Sequence, residues 1–185
     1  MRVISGIARG TKINSIESLD TRPTLDRVKE SLFNILQNNI KDKIVLDLFA
    51  GSGALGIEAL SRGAKKTYFC DINKEAIAII KQNLEKTNLL KNAIIINKDY
   101  KSALKQINDK LDIIFLDPPY KLDLATFAIR EMIKLNLIDK NSLIIIETDE
   151  IKRDINEIEK IDELEIIDKR KYGRANLIFI KKRGN

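Results

Sequence analysis

The chain has 185 residues, which is enough for one domain with a sizeable core but leaves little room for a second. Hydrophobic residues make up 44% of it and charged residues 32%, a balance that excludes a disordered chain. It has one cysteine, Cys70, and no histidine, so an intrachain disulfide is excluded and no metal site is predicted. No segment resembles a signal peptide or a membrane span, which predicts a soluble cytoplasmic protein without a membrane partner.

The net charge of +6 is concentrated at the two ends of the chain. Residues 1–43 hold 8 Lys or Arg and 5 Asp or Glu, residues 44–164 hold 18 and 20, and residues 165–185 hold 7 and 2. A nearly neutral middle with basic margins is typical of a ligand-binding or catalytic domain whose edges meet a polyanion. A lysine-rich solvated surface explains the same counts, so charge alone leaves both interpretations open.

The first predicted helix lies ahead of the core, with Thr24 as its N-cap and an apolar stripe that packs onto the core. The apolar stripe consists of Leu25, Val28, Leu32, Ile35 and Leu36.

From Lys43 onward, short aliphatic runs alternate with helical patterns, which indicates βαβ units and a parallel sheet. Strands are predicted at 44–49, 67–71, 93–97, 112–116 and 143–147, and helices at 54–62, 74–87, 100–107 and 123–136.

The pattern changes after residue 150, where a polar helical stretch precedes two further strands at 164–171 and 176–181, separated by Gly173. These strands are predicted to form an antiparallel hairpin at the edge of the sheet. The predicted fold class is therefore α/β, with a doubly wound, mostly parallel, Rossmann-like sheet of seven strands. We predict a single domain, with an N-terminal extension and closing helix at 1–43 and the core at 44–185.

A glycine-rich turn follows the first strand and contains the GxGxxG pattern at Gly51, Gly53 and Gly56. With Asp71 twenty residues after the first glycine, the pattern fits a dinucleotide fingerprint in which this carboxylate binds ribose. Asp47 argues for another cofactor, because it lies where the ligand crevice opens and would repel a pyrophosphate. S-adenosylmethionine has no phosphate, and its sulfonium and ammonium groups favour a nearby carboxylate. Asp47 could equally cap backbone amides of the turn.

The sequence Asp117-Pro118-Pro119-Tyr120 directly follows a predicted buried strand. Two prolines end the strand and make the loop rigid, so the Asp117 carboxylate and the Pro118 carbonyl can converge as hydrogen-bond acceptors. Two acceptors that hold the hydrogens of an exocyclic base amine would favour its nucleophilic form in the transition state. Tyr120 offers a ring on which an extruded base can stack. The alternative is a strand-ending turn with a buried tyrosine.

Together, DLFAGSG and DPPY resemble the class I methyltransferases that act on amino groups of bases. The N-terminal runs RVISGIARG and TRPTLDRVKESLFN resemble those of the bacterial 16S ribosomal RNA guanine-N2 methyltransferases called RsmD, over nearly the whole chain. This resemblance implies S-adenosylmethionine as cofactor, 16S ribosomal RNA as partner, free or within the small subunit, and a guanine of the 966 type as target. It implies that the stretch before the first helix closes over the methyl donor. Asp71 stands where the family usually has glutamate, and Tyr100 where it has a small residue beside adenine.

The candidate site residues divide into three groups. The catalytic candidates are Asp117, Pro118, Pro119 and Tyr120. The cofactor-binding candidates are Arg22, Pro23, Thr24, Asp47, Phe49, Gly51, Ser52, Gly53, Asp71, Ile72, Asp99 and Tyr100, where Asp99 either binds the adenine amine or simply caps the next helix. The candidates for contacts with RNA phosphates are Arg2, Arg9, Lys12 and Arg27. The alternative is that these four residues are ordinary surface charges that do not bind RNA.

Three other functions fit parts of the pattern. An adenine-N6 methyltransferase acting on DNA would use the same acidic turn, although the chain has no spare domain to recognise a DNA site. A nicotinamide oxidoreductase would use the glycine turn. A noncatalytic RNA-binding assembly factor would keep the fold and bind without transferring a methyl group.

Overall fold

The computed structural model describes residues 1–15, 23–119 and 124–184, and only the backbone at 23–26 and 38. Its helices are α1 (Pro23–Leu36), α2 (Ala54–Ser61), α3 (Lys74–Lys86), α4 (Tyr100–Leu104), α5 (Leu124–Lys134) and α6 (Ile151–Glu159), with short 3-10 helices at Gln37–Ile40 and Leu90–Asn92. Its strands are β1 (Ile44–Leu48), β2 (Lys66–Asp71), β3 (Ala93–Asn97), β4 (Ile113–Leu116), β5 (Leu143–Thr148), β6 (Leu164–Tyr172) and β7 (Ala175–Lys182). Within the described ranges, no helix is long and apolar enough to cross a membrane.

The seven strands form one sheet in the order β3-β2-β1-β4-β5-β7-β6. The first five strands are parallel, whereas β7 runs antiparallel between β5 and β6. This confirms the predicted α/β class and the C-terminal hairpin. Because Thr148 at the end of β5 pairs with Asn176 near the start of β7, the tip of the hairpin lies at the carboxyl edge of the parallel strands.

Alternate residues of each strand enter two separate hydrophobic clusters, one on each face of the sheet, as the period of two in a strand requires. Val45, Phe115 and Ile145 pack with residues of α1, α2 and α3 on one face. Ile114 and Ile146 pack with residues of α4, α5 and α6 on the other face. The two helical layers make the sheet doubly wound and leave its carboxyl edge available for a site.

Two details of the predicted helices were wrong. α1 begins at Pro23, so Thr24 lies inside the first turn and is not the N-cap; proline suits the first helical position because that amide has no helical partner. α4 ends at Leu104 instead of residue 107, because the amides of Gln106 and Ile107 bond to carbonyls three residues back and tighten the chain into a turn. The other predicted boundaries lie within two residues of those observed, and the strand at 93–97 matches at both ends.

The N-terminal extension is attached to α2 through a fully buried glutamate. Glu58 accepts hydrogen bonds from the amides of Ile4 at 2.8 Å and Ser5 at 3.0 Å and from Arg62 at 2.8 Å. The buried Lys29 of α1 lies 3.5 Å from the Glu58 carboxylate and donates to the carbonyl of Arg2 at 2.7 Å. The buried charge is thus paired and hydrogen-bonded, which it must be to remain in the core.

Candidate active site

The candidate site lies at the carboxyl edge of β1 and β4, where the strand order reverses and a crevice opens. β1 leads into the glycine turn and β4 into Asp117-Pro118-Pro119. Asp47 is in register with Phe115, two residues before Asp117. The two motifs found in the sequence are therefore neighbours in space.

The glycine turn has an unusual backbone. Phe49, Gly51 and Gly53 have φ angles of 72°, 53° and 77°, all left-handed. The amides of Phe49 and Ala50 both donate to the carbonyl of Cys70 at 3.0 Å, which fixes the turn to β2. For a phenylalanine this conformation costs roughly 1–2 kcal/mol, and strain of this kind is concentrated at functional sites. No sequence pattern predicted it.

The three glycines have different roles. A Cβ at Gly51 would meet no atom within 4 Å, so the space above the turn is open to a ligand. A Cβ at Gly53 would lie 3.2 Å from Ile80, and one at Gly56 would lie 2.3 Å from the ring of Phe69. Gly56 is thus needed for the close packing of α2 on β2, whereas Gly51 leaves room above the crevice.

Asp47 is buried, with 3% of its surface exposed, and its Oδ2 accepts a hydrogen bond from the amide of Gly56 at 2.9 Å. Burial raises the pKa of Asp47 to about 8, the Gly56 hydrogen bond opposes this shift, and the charges of Asp117 and Asp71 add to it. The capping role that the sequence left open is therefore present. A cation placed beside this carboxyl group would favour its ionised form.

Asp71 closes the other side of the turn. Its Oδ2 accepts from the amide of Gly51 and its Oδ1 from the amide of Asn73, at 2.9 and 2.8 Å. Each carboxylate oxygen keeps a further lone pair with which it can accept from a ribose hydroxyl. Beside it, Ile72 is 72% exposed and offers an apolar surface of the kind on which a base can lie.

Asp99 and Tyr100 lie where β3 ends and α4 begins. Asp99 accepts from the amide of Ser102 at 3.1 Å and is the N-cap of α4, and the hydrogen bonds from Ser102 hold its pKa below the usual value. The Tyr100 ring is half-buried and lies 6.3 Å from the Phe49 ring. This aromatic pair forms a wall between the glycine turn and the start of α4.

Asp117 is half-buried directly after β4 and is followed by the half-buried Pro118 and the exposed Pro119. Burial raises the pKa of Asp117 above its usual range. Tyr120, the predicted stacking platform, lies outside the described residues. The acidic turn is thus described as far as its second proline.

Sequence reasoning missed Glu147, near the end of β5. The neighbouring strands pair Leu116 with Ile146, so Asp117 and Glu147 occupy the next position along both strands. The Glu147 Oε1 atom is buried and has no hydrogen-bond partner. Burial raises the pKa of Glu147, and the charge of Asp117 raises it further. The signal in the sequence that could have identified Glu147 is a carboxylate at the end of an apolar run of strand length, the same signal that identified Asp117.

The segment predicted to close over the cofactor is only partly described. Arg22 lies outside the described residues, and Pro23 and Thr24 form the first turn of α1. The described part of the extension reaches the glycine turn: the Asn14 amide donates to Asn83, whose side-chain amide donates to Ser52 O at 3.0 Å. The extension therefore ends close to the predicted cofactor loop.

The four predicted RNA contacts, Arg2, Arg9, Lys12 and Arg27, are all exposed. The loop that carries Arg9 is anchored at the end of α2, where the amides of Ile7 and Ala8 donate to Ser61. The eight residues of α2 lead from the glycine turn to this anchor, a distance of roughly 12 Å. The loop that carries Arg9 therefore lies at the end of α2 that is remote from the glycine turn.

The comparisons with known proteins agree with this geometry. The chain is 42% identical over 155 residues to ribosomal RNA small subunit methyltransferase D of Haemophilus influenzae, covering 82% of this chain and 80% of that protein. The same-named Escherichia coli protein is 37% identical over 151 residues, covering 80% and 75%.

Among solved structures, the Escherichia coli protein yhhF, described as a candidate methyltransferase, matches with a TM-score of 0.83 at 30% identity, over 100% of this chain and 99% of that one. These similarities favour a methyltransferase over the oxidoreductase that the glycine turn alone left open. The family described as "Conserved hypothetical protein 95" matches residues 1–181. The chain therefore belongs to this family, whose members include the ribosomal RNA small subunit methyltransferase D proteins.

Proposed function

We propose that this protein uses S-adenosylmethionine to methylate the exocyclic N2 amine of a guanine in 16S ribosomal RNA. The observation that carries the proposal is the position of Asp117 and Pro118 beside the glycine turn, at the reversal of the sheet. The names of the relatives at 37–42% identity support ribosomal RNA of the small subunit as the substrate. Guanine 966 is the target that the resemblance implies.

The residues at the glycine turn fit S-adenosylmethionine. The space above Gly51 is open, Asp71 retains lone pairs for ribose hydroxyls, and the exposed Ile72 provides an apolar surface for adenine. Asp47 and Asp117 lie close enough to interact electrostatically and make this part of the site acidic, which suits a cationic ligand. When bound, the cofactor supplies an electrophilic methyl group attached to a sulfonium.

The substrate half must make a weak nucleophile reactive, because the lone pair of a base amine is delocalised into the ring. The Asp117 carboxylate and the Pro118 carbonyl accept the two N2 hydrogens, and these bonds strengthen as positive charge develops on the nitrogen. Once the new N–C bond has formed, the carboxylate accepts the proton that N2 must lose. Tyr120 stacks on the base and holds it out of the RNA.

The test uses small ribosomal subunits and free 16S RNA from cells that lack the protein, incubated with the purified protein and isotopically labelled S-adenosylmethionine. Nucleoside mass spectrometry should find labelled N2-methylguanine at one position, with far less label after the same incubation time with Asp117→Ala. Labelled N6-methyladenine would overturn the choice of base. Tight RNA binding without label in any nucleoside would identify a noncatalytic assembly factor.

A further inference from the structure

Two carboxyl groups, Asp117 and Glu147, stand side by side at the ends of β4 and β5. They follow the paired residues Leu116 and Ile146, and neighbouring strands lie about 4.8 Å apart. Phe115 and Ile145, two residues earlier on each strand, belong to the same hydrophobic cluster. Since side chains alternate along a strand, Glu147 extends from the same face. Asp117 follows the end of β4 and lies close enough for its charge to raise the pKa of Glu147.

Glu147 is the unusual member of this pair because one of its two carboxylate oxygens has no hydrogen-bond partner among the described residues. Its Oε1 atom is buried without a hydrogen-bond partner, one of only two such side-chain atoms within the described ranges. Leaving a buried polar group unpaired costs roughly 1–3 kcal/mol, and more for a charge. Together with Pro118 and Pro119 of the acidic turn, Glu147 also lines a small cavity of about 10 Å³, which has room for about one water molecule. A donor on a base held at Asp117 could supply the missing partner.

The bases differ in what they present beside their exocyclic amine. In guanine the N2 amine adjoins N1–H, so the edge offers neighbouring donors. In adenine the N6 amine adjoins the N1 lone pair, and in cytosine the N4 amine adjoins the N3 lone pair. An ionised carboxylate accepts and cannot donate, so it attracts the guanine edge and repels the other two. Burial raises the pKa of Glu147 to about 8, so the discrimination requires that the N1–H hydrogen bond holds the carboxyl group in its ionised form. The Asp117 turn alone does not make this distinction, since it contacts only the amine.

We propose that Glu147 is a specificity-determining residue that accepts the N1–H of the target guanine while Asp117 and Pro118 hold its N2 amine. This inference rests on the proposed function and adds the means by which guanine is selected. The buried Oε1 atom of Glu147 thereby gains a hydrogen-bond donor. Arg153 and Asp154 of α6 line the same cavity.

The test exchanges N1–H for a lone pair while keeping the amine that is methylated. Small-subunit RNA is assembled by ligation with guanine, 2-aminopurine or 2,6-diaminopurine at the mapped target, and single-turnover rates are measured with saturating S-adenosylmethionine. For each enzyme, the preference is the ratio of the rate on guanine RNA to the rate on analogue RNA. This ratio should be at least tenfold larger for the wild-type enzyme than for Glu147→Gln. A good paired contact discriminates by about 1–3 kcal/mol, and a glutamine amide can turn either its oxygen or its nitrogen toward N1. Intrinsic differences in amine reactivity cancel between the two enzymes.

Two controls make the result interpretable. Glu150→Gln changes an exposed carboxylate three residues away and should keep the wild-type preference. If Glu147→Gln fails to fold, equilibrium binding of the three RNAs to the wild-type protein with S-adenosylhomocysteine replaces the rate comparison, since amine reactivity plays no part in it.

The outcomes separate the inference from the proposed function. Guanine methylation with the same analogue preference in wild type and Glu147→Gln would keep the function and overturn the role of Glu147. So would a wild-type preference for 2-aminopurine in the binding assay, because Glu147 would then be acting as a donor. If the wild-type enzyme methylates no guanine, both proposals fail.

Discussion

The proposed cofactor half and the proposed substrate half of the site differ in how their carboxyl groups are hydrogen-bonded. Around the glycine turn, Asp47, Asp71 and Asp99 all accept hydrogen bonds from nearby backbone amides. At the ends of β4 and β5, the Oε1 atom of Glu147 accepts none, and burial raises the pKa of both Asp117 and Glu147. The first half is organised before any ligand binds. The second leaves an acceptor unpaired at a cost in stability, and a difference of this kind is expected between a scaffold and a recognition surface.

The largest effect is expected at Asp117. Asp117→Ala should lower the single-turnover rate of methyl transfer about a hundred- to a thousandfold, because one preorganised transition-state contact is lost. Asp117→Asn should lose less, since its amide oxygen still accepts. S-adenosylhomocysteine affinity, measured by calorimetry, should stay within a fewfold of wild type. Asp149→Ala removes a nearby exposed carboxylate and serves as control. A near-normal rate in Asp117→Ala would mean that the amine is activated elsewhere.

The scaffold character of the cofactor half is tested at Gly56. Gly56→Ala should lower the free energy of unfolding by roughly 1–3 kcal/mol, because the new Cβ would lie 2.3 Å from the ring of Phe69 and force α2 away from β2. Chemical denaturation of the purified proteins measures the loss. Gly184→Ala is the control, since a Cβ there would meet no atom within 4 Å. Equal stability of the two variants would show that α2 moves without cost.

The raised pKa values predict how stability changes with pH. Between the ordinary aspartate pKa of about 4 and the raised value of about 8, Asp47 is protonated in the folded protein and ionised in the unfolded chain. The folded state then binds more protons than the unfolded chain. Asp47 therefore makes the free energy of unfolding fall as pH rises, by at most about 1.4 kcal/mol per pH unit, and this fall ends above pH 8.

Asp47→Asn should flatten this part of the pH profile while its amide oxygen still accepts from Gly56. Denaturation curves from pH 5 to pH 9 without cofactor provide the measurement. A variant profile as steep as that of wild type would assign the effect to Asp117 and Glu147 instead.

The smallest effect concerns the basic residues outside both halves. Replacing Arg2, Arg9 and Lys12 with alanine should make RNA binding less salt-dependent, since each phosphate contact contributes roughly 0.7–0.9 to the log–log slope. Filter binding at several salt concentrations measures the slope, with alanines at the exposed Lys81, Lys91 and Lys140 as control. An unchanged slope would mean that these three cations face solvent. A slope reduced by Lys171→Ala and Arg174→Ala would place the contact on the C-terminal hairpin instead.

Much of the architecture could be predicted from the sequence because it depends on local patterns. Aliphatic runs of strand length, separated by helical periods, give the order of β1 to β5 and their helices. The glycine turn and the acidic proline turn are short motifs, so their positions at strand ends follow from a few consecutive residues. The same local logic underlies the cap at Asp99, which sequence reasoning kept as an alternative.

Other features were decided only by the tertiary structure, because they join residues far apart in the chain. Glu147 and Asp117 are thirty positions apart and become neighbours through the register of β4 with β5, which no local pattern encodes. The burial that raises their pKa values is likewise a property of packed layers. The ion pair that attaches the extension joins Lys29 to Glu58, and the left-handed Phe49 is held by a carbonyl of β2. The sequence by itself determined the elements and motifs of this protein, and long-range register and packing decided which carboxyl groups are hydrogen-bonded and which keeps an oxygen without a partner.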